Sequence, residues 1–407
     1  MNSPEIHQQG GIYQLTWQEG IAAQVTRLRE HRDGRVTAEL TVTTSLPGYQ
    51  PYLAQSLFNL SSIRSRTEMA KTLTGRCSVI GWEEALEQLC FIILQMLRRG
   101  EPIKEIWTSD DIRPLQYLLY PLIPLNMPTT IYGEGGTGKS YLALLFATCV
   151  QLPWYDNPLC LKPREAPTNV IYLDYESDED EIAWRLKCLK KGMGLPELQL
   201  QYRHCSIPFA DDLETIQQAI VETKTKAIIV DSLGVACGGD LNSAETANRF
   251  NNALRQVNVT SLLLTHTAKD ITVKRKTIFG SVYFYNNARS VWEVRKSQEP
   301  GGNEIHLGLY NTKFNPGKLH PPIGFKVEFG EDYSIFSPED IREVPELARS
   351  LPLRTQIIGL LNQGKMPVKD IADELDASES SIRTILNRDK KNFVKAGKEW
   401  ALLSWQS

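Results

Sequence analysis

Residues 132–147, YGEGGTGKSYLALLFA, decide how the chain is read. Gly133 to Ser140 fits the pattern G-x-x-x-x-G-K-[ST] in full, with the short apolar run Thr129-Thr-Ile-Tyr132 before it and an apolar helical stretch after it. A strand, a glycine loop and a helix in that order bring backbone N–H groups and a helix N-terminus onto phosphate oxygens. Gly133, Gly135, Gly136, Thr137 and Gly138 are the cradle candidates, and Tyr141 sits next to them in the first helical turn. Lys139 is placed to reach β- and γ-phosphates, and Ser140 to put its hydroxyl on Mg²⁺. The expected cofactors are therefore ATP and Mg²⁺.

Three further apolar runs have the length and β-branched content of buried parallel strands: NVIYLDY (169–175), AIIVD (227–231) and SLLLTH (261–266). Asp231 closes the second run and places a carboxylate at the rim of the sheet, where it can share the metal with Ser140. Glu176, just past the first run, is the candidate base for the attacking water, with Asp174 two positions earlier as its competitor. His266 ends the third run, where an imidazole can bond a γ-phosphate and report its loss.

The bulk properties agree with a globular ATPase and exclude several other classes. In 407 residues, 42% are hydrophobic and 23% charged, with a formal net charge of −3, so disordered and fibrous classes drop out and any nucleic-acid contact must come from local basic patches. Seven scattered cysteines without metal spacing read as reduced thiols of a cytoplasmic protein. ALEQLCFIILQML, the most apolar stretch, is too short and too polar to span a bilayer, so no membrane role is expected.

The expected architecture is α/β, with an α+β accessory domain over 1–114, an ATPase domain over 115–335, a linker over 336–351 and a small C-terminal domain over 352–407. Residues 11–47 read as strands with a turn at Asp33-Gly34, and 52–73 and 82–99 as helices. Arg64, Arg66, Lys71 and Arg76 read as a solvated helix face. In the C-terminal unit RTQIIGLLNQ, PVKDIADEL and SESSIRTILNR read as three short helices, with Pro367 at a helix start and Ser378 as an N-cap, followed by NFVKAGKEWALL as a β-wing. That is a winged helix-turn-helix pattern. Its exposed candidates for DNA are Arg383, Arg388, Lys390, Lys391, Lys395 and Lys398.

Taken in order, Gly133–Ser140, IYLDYESDEDEIAWRL, AIIVDS, LLLTHTAK and FGSVYFYNNARSVWEV resemble the RecA-like ATPases of the hexameric replicative-helicase type, most closely the plasmid RepA helicase family. The resemblance covers roughly residues 115–330. It implies a RecA-like P-loop core in a homo-oligomeric ring, most simply a hexamer, with ATP between subunits, Glu176 activating water and His266 sensing the γ-phosphate. Arg289 in NNARSVW matches the position of an arginine finger acting on the neighbour's nucleotide, and Lys313 in NTKFNPGK resembles the lysine of a K-x-R finger. Thr265 and Asn315 depart from the family pattern, and Asn315 shifts the finger role toward Arg289. In such a core the loop after His266 faces the ring centre, so Lys269, Lys274, Arg275 and Lys276 are expected to meet single-stranded DNA. The expected function is a DNA-dependent ATPase, a helicase or translocase of a mobile element. Two alternatives stand beside it: an ATP-switched assembly factor for repair, recombination or loading, and a winged-helix regulator whose P-loop domain is an oligomerisation clamp.

Overall fold

The computed structural model describes residues 1–9, 11–99, 103–108, 114–267, 278–280 and 282–403. At the N-terminus five antiparallel strands, Glu5–Gln9, Ile12–Trp17, Ile21–Glu30, Val36–Thr44 and Tyr52–Asn59, lie side by side in chain order. Alternate residues of Val36–Thr44 are buried, as the period of a half-covered sheet requires, and that face packs on the helices Ile63–Arg76 and Trp82–Arg99. The helix expected over 52–73 is corrected in its first third: Tyr52–Asn59 is a strand paired with Val36–Thr44, with Leu53 and Phe58 turned into the core. The apolar spacing there suits either element, and cross-strand pairing decides it. Ser62 then starts the helix by accepting the Ser65 N–H at 3.3 Å.

Nine strands form the central sheet, in the order Gln201–His204, Val170–Asp174, Ala227–Asp231, Thr260–His266, Pro128–Gly133, Ser290–Ser297, Glu304–Phe314, Ile323–Phe329 and Ser334–Glu339. The first six run parallel, and the last three add as antiparallel hairpins. Helices Lys139–Gln151 and Glu179–Met193 cover one face, and Leu213–Glu222 and Ala244–Val257 the other. Burial on both faces explains the continuous apolar runs of the sequence. The His266 strand lies between the P-loop strand and the Asp231 strand. Gly133, His266, Asp231 and Asp174 therefore all end at one rim, with His266 level with Gly133 and Asp174 level with Asp231.

Residues 336–351, expected as a linker, belong instead to the packed core. Ser334–Glu339 is the ninth strand, and Ile341, Val344, Leu347 and Leu351 are buried around Tyr310, whose hydroxyl donates to Leu347 O at 2.7 Å. The prolines and charges that suggested a spacer serve turns and a short helix, Pro345–Ala348.

Beyond it, helices Leu353–Leu361, Val368–Glu374 and Glu379–Arg388 pack with a small sheet of Met366–Pro367, Phe393–Ala396 and Glu399–Leu402 around Ile357, Ile371, Ile382 and Trp400. Pro367 and Ser378 stand at the helix starts where the sequence placed them. All seven cysteines are free, and six are buried. No helix among the described residues is long and apolar enough to cross a membrane.

Candidate nucleotide site

The loop from Gly133 to Gly138 needs glycine at three of its four glycine positions. Gly136 and Gly138 take φ of +67° and +77°, and a Cβ on Gly133 would lie 2.6 Å from the Val294 carbonyl oxygen. Behind the loop Lys139 is 7% exposed, with Nζ donating to Glu134 O at 2.8 Å and Gly133 O at 3.2 Å. Burial lowers the Lys139 pKa, against the attraction of Asp231 and Glu176. The ammonium is thus held within the loop whose amides would face phosphate.

At the end of its strand Asp231 is 5% exposed, and its Oδ2 accepts the Ser140 hydroxyl at 2.6 Å and the Tyr172 hydroxyl at 2.5 Å. Desolvation raises its pKa, and the two hydroxyl donors pull it back down. A serine hydroxyl against a carboxylate is the donor pair that a Mg²⁺ ion uses when phosphate oxygens and waters complete its shell. The residues present therefore fit that ion. Among the described residues no group of three or more His, Cys, Asp or Glu is placed to hold a metal alone, which this kind of site does not need.

Asp174 and Glu176 separate clearly. Asp174 is fully buried: Oδ1 accepts the N–H groups of Glu176 at 3.0 Å and Ser177 at 2.9 Å, and Oδ2 accepts the Tyr202 hydroxyl at 3.0 Å. Its carboxylate builds the turn that presents Glu176. Glu176, by contrast, stands half exposed in the cavity with Oε1 3.6 Å from His266 Nε2. Base candidate and sensor candidate face each other across the mouth.

The cavity, of about 450 Å³, has one wall that local sequence pattern leaves incomplete. Tyr141 meets Phe329 edge to face with ring centres 5.2 Å apart, and the Arg185 guanidinium lies 4.9 Å over the Tyr141 ring while paired with Glu181. Glu181 and Arg185 are spaced as a helical i,i+4 pair, a signal present in the sequence. Phe329 arrives from an antiparallel hairpin that no local pattern ties to the P-loop.

The finger candidates lie elsewhere. Arg289 is exposed, and its N–H donates to Pro128 O at 3.1 Å, which places it at the start of the P-loop strand and not at its end. The length of the strand Pro128–Gly133 separates the two ends, roughly 16 Å. Lys313 is engaged by its own chain: Nζ donates to Tyr285 O at 2.8 Å and Asn286 O at 2.9 Å and lies 5.2 Å over the Tyr285 ring. It closes the C-terminal end of the helix Val282–Asn287. Lys269, Lys274, Arg275 and Lys276 lie outside the described residues. In the C-terminal unit Arg383 pairs with Glu379 at 2.7 Å, whereas Arg388, Lys390, Lys391, Lys395 and Lys398 are exposed and form no ion pair with a described residue.

Residues 98–271 match the family model of an AAA domain. The matched stretch includes the glycine loop, Glu176, Asp231 and His266, and it supports a P-loop ATPase. No curated protein matches the chain.

Proposed function

We propose that the chain is a ring-forming, DNA-dependent ATPase of the RecA and RepA type that works as a helicase or translocase. The observation that carries this reading is the division of the site. Lys139, Ser140, Asp231, Glu176 and His266 gather at one rim of the sheet, while Arg289 sits at the other, a strand's length from its own nucleotide pocket. Joined head to tail, copies bring the two rims together, and a closed ring is the simplest arrangement that completes every site.

In this reading Ser140 and Asp231 hold Mg²⁺, and Lys139 with the loop amides holds the phosphates. When bound, the ion neutralises charge between the β- and γ-phosphates. Glu176 accepts a proton from the attacking water, His266 reads the γ-phosphate, and Arg289 steadies the charge in the neighbour's site. Lys313 serves as a structural prop for the Arg289 segment. The exposed cations from Arg383 to Lys398 and the order of helices and hairpin support a winged helix-turn-helix that grips duplex DNA.

Those same cations favour a second reading, an ATP-switched factor that holds DNA without moving along it. Strand displacement, with Lys139→Ala as control, separates the two. Unwinding that needs hydrolysis supports the helicase. DNA-stimulated hydrolysis without displacement supports the switch, and particles that stay monomeric with an ATP analogue and single-stranded DNA overturn the ring.

A further inference from the structure

The glycine loop is flanked along one side by the strands Ser290–Ser297 and Glu304–Phe314. A Cβ on Gly133 would meet the Val294 carbonyl oxygen at 2.6 Å, one on Gly136 would lie 3.8 Å from Lys296 Nζ, and one on Gly138 would lie 3.5 Å from Ile305 and Leu307. Val294, Ile305 and Leu307 are buried. Among these flanking residues Lys296 carries the charge. It stands two positions beyond Val294, on the same face of the strand, and is level with Leu307. Packing of its apolar neighbours thus fixes where the lysine stem starts.

The ammonium at its tip lacks a carboxylate. Lys296 is exposed and forms no ion pair with a described residue, and its Nζ makes a long hydrogen bond, 3.4 Å, to Gln298 Oε1. Of the acids lining the cavity, Glu181 is paired with Arg185, and Asp231 accepts the hydroxyls of Ser140 and Tyr172. Converging loop amides and a helix N-terminus carry positive potential, and Lys139 adds its own charge. A second cation beside them is repelled by the loop itself and attracted by an anion held in it.

We propose that Lys296 is a second phosphate-binding lysine of this site and contacts the α- and β-phosphates of the bound nucleotide. The inference rests on the reading of the loop as a nucleotide cradle. Strand order sets which phosphates the lysine meets. Glu176, Asp231 and His266 end or directly follow strands on one side of the P-loop strand, whereas Lys296, Ile305 and Phe329 belong to strands on the other. A triphosphate with its γ end at Glu176 and His266 therefore lays its α end toward Lys296. The nucleoside beyond it meets the apolar side chains of Ile305 and Phe329, which line the same cavity.

The test titrates mant-labelled ATP and ADP, each with Mg²⁺, into the full-length chain and its variants. Lys296→Met should weaken both nucleotides about fivefold at an unchanged melting temperature, the scale of one exposed charge pair. Lys296→Arg keeps the charge and should recover most of that loss, and added salt should narrow the gap between Lys296→Met and the unsubstituted chain. Lys139→Met is the reference for the cradle itself and should weaken ATP far more. Dissociation constants of Lys296→Met within about twofold of the unsubstituted chain, beside a strong loss in Lys139→Met, overturn the proposal and leave the cradle standing. Weakening of ATP with ADP unaffected also overturns it, because the ammonium would then sit at the γ-phosphate. If Lys139→Met binds both nucleotides as before, the cradle reading falls and this inference falls with it.

Discussion

Tyr172 and Asp231, on neighbouring strands, are joined by a hydroxyl-to-carboxylate bond of 2.5 Å inside the sheet. Burial pushes the Tyr172 hydroxyl well above its ordinary pKa, and the adjacent Asp231 charge pushes it further, so the tyrosine remains a donor throughout the working range. It supports a carboxylate that desolvation would otherwise favour as the neutral acid.

Removing that donor should expose its role. Tyr172→Phe leaves the Asp231 charged form less stabilised, so the Asp231 pKa rises and the acid limb of the hydrolysis profile moves to higher pH. The cost in stability should be about 1–3 kcal/mol, as for other buried acceptors that lose a partner. An acid limb that stays in place would remove Tyr172 from the tuning of the site.

Lys139 gives a pH dependence of opposite origin. Desolvation lowers its folded-state pKa, so the unfolded chain holds that proton more tightly than the folded one. The charge costs the fold stability below the lowered pKa, and the cost fades as pH rises through it. Compared with Lys139→Met, the unsubstituted chain should therefore gain melting temperature as pH rises through the lowered pKa toward the ordinary lysine value of about 10.4. Parallel melting curves across that range would contradict the assignment.

Glu176 and Asp174 should separate into chemistry and architecture. Glu176→Gln should slow hydrolysis by about a hundredfold or more with nucleotide binding kept, as expected for loss of a general base. Asp174→Ala removes the acceptor of two turn amides and of Tyr202, and should cost about 1–3 kcal/mol of stability. Equal catalytic loss from both at unchanged melting temperature would return the base role to dispute.

Arg289 can be tested by complementation. Arg289→Ala and Glu176→Gln should each abolish most hydrolysis alone, the former by about a thousandfold if it acts as a finger. Mixed, they should regain activity, because some interfaces then pair an intact pocket with an intact arginine. No recovery at any ratio would place Arg289 outside the neighbour's site.

The exposed C-terminal cations predict a salt effect. Replacing Arg388, Lys390, Lys391 and Lys395 with Ala should flatten the salt dependence of duplex binding by about 0.9 in log–log slope for each phosphate that is no longer neutralised. The melting temperature should hold, since none of the four forms an ion pair with a described residue. An unchanged slope would separate this unit from DNA.

What was legible in the sequence was what local chemistry determines. The glycine loop, the four apolar strands that end at Gly133, Asp174, Asp231 and His266, and the caps at Pro367 and Ser378 all stand where their residue types required. What escaped depended on partners distant in the chain. Asp174 could be told from Glu176 only once Tyr202 and two amides were seen to occupy it. Phe329 reaches Tyr141 from the second of the antiparallel strands, and Tyr52–Asn59 became a strand because Val36–Thr44 was there to pair with it. Lys313 looked like a finger by its neighbours in sequence, yet it is spent on two carbonyls 28 and 27 residues away.

The packing of residues 341–351 on Tyr310 has a mechanical consequence. Leu351 is the last buried residue of that segment and helix Leu353–Leu361 begins two positions later, so Pro352 is the one residue between them, and Gln356 of the helix donates back to Leu351 O at 2.7 Å. A one-residue hinge gives no more than about 4 Å of slack. In the proposed ring, torque generated at the nucleotide rim thus passes to whatever the C-terminal cations grasp through a short stiff neck, not a flexible leash.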